Sequence, residues 1–282
     1  MSNLRSFTEM LKHPSILLEV AYRKMGGFIM FENEIVLHQQ QDGWGNILVL
    51  DQEDQRVLSF DSIYEQSRMD LNRPSELIHQ YTRAMLLGLA FGSPAHITLF
   101  GLGGGCLLRA AYQVNPYLHL QAVELRAAVV EVARDYFGLP ESPRISIDVA
   151  DGRDYITRQP DASTDLIWAD MYHALRADPF QMQKRFFRES QRVLTADGWL
   201  VINCHEFPPA NGMFFRFLRE YFHEILVCAV PGGNYVVYAG KSGKGKPKGL
   251  VPLEVEVLEL KTRTKLGFLL PLVQPLEHPA QP

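Results

Sequence analysis

The apolar positions fall into two regimes. From Gly27 to about Ser67 they come in short β-prone runs: Phe28-Ile-Met-Phe31, Ile35-Val-Leu37, Asn46-Ile-Leu-Val-Leu50 and Arg56-Val-Leu-Ser-Phe60. Turn-forming stretches separate them (Glu-Asn-Glu, Gln-Asp-Gly-Trp-Gly, Asp-Gln-Glu-Asp-Gln), which predicts a small antiparallel meander of about four strands. Ahead of it, residues 1–24 carry mixed helical periodicity at Leu4, Phe7, Met10 and Leu11, read as a short helix or an arm. Asn72-Arg-Pro-Ser75 then punctuates the chain, with Ser75 as the expected N-cap of a helix from Glu76 to about Leu89.

Beyond that point strands and helices alternate. The pattern predicts strands at His96–Phe100, Leu118–Val123, Ile145–Val149, Asp165–Ala169 and Trp199–Asn203. Helices are expected at Cys106–Gln113, Ala127–Phe137, near Pro179–Leu194 and at Gly212–Tyr221, with turns at Asp151-Gly152 and Asp197-Gly198. Two final strands, Ile225–Val230 and Asn234–Ala239, close the series. Such alternation means an α/β, Rossmann-like domain, a parallel sheet with helices on both faces and ligands at the carboxyl ends of the strands. The expected division is 1–72 for the arm and small β domain, 73–249 for the Rossmann-like domain and 250–282 for a tail. Lys241–Gly249 reads as a basic, solvated loop. Leu253–Leu276 reads as an amphipathic tail that packs back as a helix or serves a dimer contact.

Composition narrows the class. The chain has 282 residues, 46% hydrophobic and 21% charged, enough to bury a full core and unlike a disordered chain. A net charge of −4 and a pI near 6.1 argue against a general nucleic-acid binder, which would need a basic surface. The three cysteines, Cys106, Cys204 and Cys228, are far apart and form no CxxC pair, so neither a disulfide framework nor a zinc site is indicated. With no signal-peptide pattern and no run of about 18 apolar residues, a soluble cytoplasmic protein with no membrane partner is expected.

The chemistry concentrates in one unit. Ile97-Thr-Leu-Phe-Gly101-Leu-Gly103-Gly104-Gly105-Cys-Leu-Leu-Arg109, then a helix, then Leu120-Gln-Ala-Val-Glu124 is a strand, a glycine-rich turn, a helix and a strand ending in a carboxylate. Glycines let backbone approach a ligand, and an acid about 20 residues on accepts bonds from ribose hydroxyls. This points to a nucleoside-cofactor enzyme. Asp151-Gly152 after a strand can present a side chain and an N–H to a purine edge, or be an ordinary β-turn. Asp170, directly after Leu166-Ile-Trp-Ala, faces the cleft as a proton acceptor or amine anchor, or else caps a helix. Tyr172 and His173 stand beside it, and His79, Gln80 and Tyr81 can reach the cleft from the other side. Glu206 is a further cleft carboxylate.

From about Glu34 to Lys241 this order of features resembles spermidine synthase and its relatives, the aminopropyltransferase branch of the S-adenosylmethionine-dependent methyltransferase fold. The likeness rests on Ile47-Leu-Val-Leu-Asp51, Gln66-Ser67, Gly101–Arg109, Val123-Glu124, Asp151-Gly152, Asp165-Leu-Ile-Trp-Ala-Asp170 and Gly233–Lys241. The resemblance implies a class I methyltransferase fold with a small N-terminal antiparallel β domain. It also implies a cytoplasmic homodimer without metal, acting on a small amine with decarboxylated or intact S-adenosylmethionine. Glu124 would hold the ribose, Asp151 and Gly152 the adenine, and the loop glycines with Gln66 the rest of the cofactor. Asp170 would serve the attacking amine, assisted by Tyr172, His173 or Tyr81.

Departures from the family pattern bear on the activity. The loop acid that binds the cofactor's amine falls at Gly104, the second cleft aspartate at His173, and the gate-helix tyrosine at His79. A carboxylate at 104 would attract the amine of the decarboxylated cofactor and repel the carboxylate of the intact one; glycine removes that discrimination. Three readings therefore stand at this point: an aminopropyltransferase, a methyltransferase on a small acceptor, and a non-catalytic nucleoside-binding relative. A nicotinamide dehydrogenase fits Glu124 but not the remaining order.

Overall fold

Short strands joined by tight turns build the first part of the molecule. The structure, a computed structural model, describes residues 22–25, 28–31, 34–60, 65–172, 178–209, 211–242 and 252–276. β1 (Tyr22–Met25) and β2 (Phe28–Phe31) pair as a separate two-stranded antiparallel hairpin. β3 (Glu34–Asp42), β4 (Gly45–Gln52), β5 (Gln55–Ser59) and β6 (Glu65–Asp70) form a four-stranded antiparallel sheet in sequential order. The predicted meander is thus corrected at both ends. Phe28–Phe31 pairs with residues 22–25 instead of the meander, so part of the expected helical stretch is strand; residues 1–21 lie outside the described residues. The fourth meander strand is the polar run Glu-Gln-Ser-Arg-Met-Asp, recruited by backbone pairing to β5.

The predicted helix at 76–89 begins later. Leu77 is 1% exposed, bridges to Met69, and its N–H is taken by the Thr264 hydroxyl at 3.0 Å. Those bonds hold the segment after Pro74 out of helical geometry. Helix α1 therefore spans Gln80–Leu86, with His79 and not Ser75 at the N-cap, and a 3₁₀ turn continues over Leu87–Phe91.

The main domain follows as β7 (His96–Phe100), α2 (Cys106–Val114), β8 (His119–Glu124), α3 (Ala127–Phe137), β9 (Ile145–Val149), α4 (Gly152–Arg158) and β10 (Thr164–Ala169). A 3₁₀ turn at Pro179–Met182 leads to α5 (Lys184–Val193), β11 (Leu194–Cys204), α6 (Met213–Tyr221), β12 (Glu224–Ala229) and β13 (Tyr235–Gly240). The tail folds back as α7 (Pro252–Thr262), a 3₁₀ segment (Gly267–Leu272) and β14 (Val273–Pro275). The eight strands order as β14-β12-β13-β11-β10-β7-β8-β9.

The expected parallel sheet is extended by antiparallel strands: β11, β10, β7, β8 and β9 are parallel, whereas β13, β12 and β14 each pair antiparallel with their neighbours. The connection between β12 and β13 is too short for a crossover helix and turns through Gly232 and Gly233 at φ 106° and 115°, so only a hairpin is possible. The predicted Asp197-Gly198 turn lies inside β11, where the pairing jumps from Leu194 to Trp199 opposite Thr164 and Leu166.

Alternation along the central strands fills both faces. Leu166, Trp168, Trp199 and Val201 join the core under α1, α2 and α7, while Ile167, Ala169, Leu200 and Ile202 join Phe186, Phe187 and Phe215 on the other side. Each fully buried Leu, Ile, Val or Phe among them contributes about 1.5–3 kcal/mol. Val255, Leu258, Leu266 and Leu269 seal the tail onto the first face. The chain leaves β7 toward β8 on one side and reaches β10 on the other. This reversal of strand order opens a crevice at the carboxyl ends of β7 and β10.

Candidate active site

The glycine loop is built for close approach. Gly101, Gly103 and Gly105 have φ of 87°, 53° and 69°, which favour glycine. A Cβ on Gly101 would lie 2.2 Å from the Asp170 carbonyl oxygen, and one on Gly103 would lie 2.7 Å from the Ser67 hydroxyl oxygen. The loop is also pinned. The Ser67 hydroxyl accepts the Gly104 N–H at 2.8 Å, and Arg109 donates to the carbonyls of Pro74 and Phe137, both at 2.6 Å. Gln66 and Ser67 come from β6, so the N-terminal sheet forms one wall of the crevice. The cavity it helps enclose measures about 690 Å³, within the range of sites for small ligands.

Glu124 ends β8 on the floor of this cavity and is 8% exposed. Its two oxygens accept the N–H groups of Leu102 (2.9 Å) and Arg126 (3.0 Å). Burial pushes its carboxyl above the ordinary value, although these backbone bonds oppose the shift. Arg126 is itself buried. It makes a two-pronged contact with Asp42 at 3.0 and 2.9 Å and lies 4.4 Å over the Phe60 ring, tying the small sheet to the floor. Sequence reasoning missed this pair, because no local pattern joins residues so far apart in the chain.

Asp151 and Gly152 also line the cavity, but the predicted turn is a helix start. Asp151 caps α4 by accepting the Arg153 N–H at 2.8 Å. Arg153 in turn bonds Asp178 at 2.5 Å.

Asp170, at the end of β10, is half-buried at the bottom of the cleft. Asn203 donates to it at 2.8 Å, and Asn203 is held in place by Asn234, also at 2.8 Å. The Tyr81 hydroxyl from α1 bonds the same carboxylate. Burial drives the Asp170 pKa up to about 6; the Asn203 bond, the charge of His79 and the Tyr81 bond offset only part of that. Burial likewise pushes Tyr81 well up. Tyr172 is placed differently: its hydroxyl donates to the Asn203 carbonyl at 2.8 Å, and its ring stacks on His205 at 4.2 Å. His173 lies outside the described residues. His79, Gln80 and Glu206 line the cleft, and Glu65 meets His79 at 3.2 Å. Asn203 had a visible signal, a buried polar residue closing an apolar strand; Glu65, Asn234 and Arg126 had none.

Among the described residues no cluster of three or more His, Cys, Asp or Glu could hold a metal ion, and no helix is long and apolar enough to cross a membrane.

The crevice at the strand switch point, with its glycine loop and buried strand-end acid, belongs to a Rossmann-like, methyltransferase-type fold. Residues 99–202 match a family described as methyltransferase domain. Over 233 residues the chain is 34% identical to a polyamine aminopropyltransferase of Neisseria meningitidis serogroup A, covering 80% of this chain and 85% of that one. A polyamine aminopropyltransferase of Chromobacterium violaceum is 34% identical over 188 residues, covering 65% and 72%. The crystal structure of a probable spermidine synthase from Corynebacterium glutamicum superposes with a TM-score of 0.67 at 21% identity, covering 79% of this chain and 86% of that one. The chain belongs to the polyamine aminopropyltransferase family and is a transferase.

Proposed function

We propose that this protein moves an aminopropyl group from decarboxylated S-adenosylmethionine to a small polyamine acceptor. The observation that carries the reading is one cleft holding both halves of the chemistry, Glu124 with the glycine loop on one side and Asp170 with Asn203 and Tyr81 on the other. Backbone N–H groups of Leu102 and Arg126 orient the Glu124 carboxylate on the cavity floor, where it accepts ribose hydroxyls. Glycine at 101 and 103 lets the loop pack directly against the Asp170 carbonyl and the Ser67 hydroxyl, which fixes its position along the cavity. Asp151 and Gly152, which line the cavity, would take the purine edge, and Gln66 lines it from β6.

The donor supplies a sulfonium whose neighbouring carbon is open to in-line attack. Asp170 accepts N–H bonds from the acceptor amine and aims its nitrogen at that carbon. Tyr81 and Asn203 keep the carboxylate oriented. Tyr172, committed to a backbone carbonyl, shapes the wall. As the nitrogen lone pair forms the new C–N bond, the C–S pair returns to sulfur, leaving a neutral thioether.

Gly104 bears on the donor's identity. A Cβ there would meet Phe137 at 2.9 Å and Ser67 at 3.0 Å, so the loop has no room for a carboxylate at that point. The donor's free amine must then find its negative partner elsewhere in the cleft, and the acids there favour an amine over a carboxylate. Calorimetry with both cofactors tests this. The decarboxylated form should bind at least tenfold tighter, about 1.4 kcal/mol, and release methylthioadenosine when putrescine is added. Tighter binding of the intact form would overturn the reading.

A further inference from the structure

One carboxylate in the cleft has no part in that chemistry. Glu65 opens β6, and its Oε2 lies 3.2 Å from Nε2 of His79, the residue immediately before α1. Arg68 binds the same carboxylate through Nε at 2.8 Å. Burial opposes ionisation of Glu65, yet Arg68 and His79 together hold its pKa down at about 2. An ionised carboxylate can only accept a hydrogen bond, so Nε2 of His79 carries the proton and the lone pair of the neutral ring sits on Nδ1. Among the described residues Nδ1 has no partner.

The ring lines the same cavity as Asp170, and once it is protonated its charge favours ionised Asp170. The groups around it are Glu65 and Arg68 from β6, Tyr81 from α1 with ring centroids 5.6 Å apart, and Asp170 and Tyr172 at the end of β10. Arg68 is the cation among them, and it is engaged by Glu65, Gln52 and Gln55.

We propose that Glu65 and His79 form an acid–base pair for the acceptor amine, His79 Nδ1 taking the amine's proton and Glu65 fixing the tautomer and balancing the imidazolium. The proposal rests on the aminopropyl-transfer reading. An aliphatic amine resembles a lysine side chain, with a pKa of about 10.4, so it arrives protonated and cannot attack until it gives up a proton. Nδ1 accepts that proton, the freed lone pair forms the C–N bond, and the C–S pair stays on sulfur. The new secondary ammonium keeps its protons, and the proton held by His79 passes to solvent, which restores the base. Asp170 anchors the amine, His79 is the catalytic base, and Glu65 is a positioning residue.

The test uses the full chain with decarboxylated S-adenosylmethionine and putrescine, reading methylthioadenosine release. His79→Ala should lower kcat by about 100-fold, leave donor binding by calorimetry unchanged, and recover roughly tenfold on addition of imidazole. Glu65→Gln should lower kcat by roughly tenfold with KM for the donor unchanged. The double variant should be no slower than His79→Ala alone, since residues acting as a unit are not additive. An active wild type whose His79→Ala variant keeps full kcat, or gains nothing from imidazole, overturns the pair and leaves aminopropyl transfer standing. A wild type that releases no methylthioadenosine overturns both.

Discussion

Asp170 offers a prediction in which stability and activity move in opposite directions. Its carboxyl has a pKa of about 6 in the folded protein against 3.8 for the free side chain, with burial as the main cause. That gap corresponds to about 3 kcal/mol. The sign follows from linkage: the folded state holds this proton more tightly than the unfolded state, so stability is greatest at low pH. It falls as the pH rises from about 4 to about 6, and the penalty persists above that. Asparagine at 170 carries no charge to desolvate, and its carboxamide oxygen can still accept the bond from Asn203. Asp170→Asn should therefore be more stable than the wild type at pH 8, by up to about 3 kcal/mol, and equal to it near pH 4. At roughly 2 °C per kcal/mol for a chain of this length, Tm should rise by up to about 6 °C at pH 8.

Turnover should vanish in the same variant, because the amine loses its anionic anchor, while nucleoside binding stays nearly intact. In the wild type, activity should be lost as the pH falls through about 6 and the anchor becomes protonated. Thermal scans from pH 4 to 8, run with donor calorimetry and the methylthioadenosine assay, read all of this. An Asp170→Asn protein less stable than the wild type at pH 8 would refute the desolvation argument. Wild-type turnover would remove Asp170 from the mechanism.

Glu124→Ala should weaken binding of the adenosyl donor by about 30-fold or more, as expected for losing charge-assisted bonds worth about 2 kcal/mol or more; unchanged affinity by calorimetry would take the ribose away from this residue. Gly101→Ala places a Cβ 2.2 Å from the Asp170 carbonyl at a φ of 87°. It should cost at least about 2 kcal/mol of stability and disturb Asp170. A variant with the wild-type denaturation midpoint would show that the loop relaxes freely.

What could be read from the chain alone was whatever local periodicity encodes. The strand, glycine loop, helix and strand from His96 to Glu124, and the helix Ala127–Phe137, are each specified by their own apolar spacing and by glycines at turns. Family resemblance then pointed to the class. Elements shaped by distant partners were hidden. β6 is polar in sequence and becomes a strand because β5 offers it a ladder; the segment after Pro74 is kept from helix by Met69 and Thr264. Asp151-Gly152 has the composition of a turn, and α4 follows it through the Asp151 cap.

The site obeys the same division. Glu124 and Asp170 were visible because each ends an apolar strand, yet what sets their chemistry was not. Asp170 owes its environment to Tyr81 from α1, to Asn203 from β11, and to Asn234 behind Asn203. Glu124 stands beside Arg126, which clasps Asp42 on the other sheet. Gly104 shows the consequence most directly. In sequence it reads as a lost acid; in the fold Phe137 and Ser67 occupy the space around its α-carbon, so the missing charge follows from how the small sheet and α3 close on the loop. Any carboxylate that compensates must come from another wall of the cleft. Glu65 and Asp170 both act on His79 there, contributed by elements whose sequences give no sign that they meet.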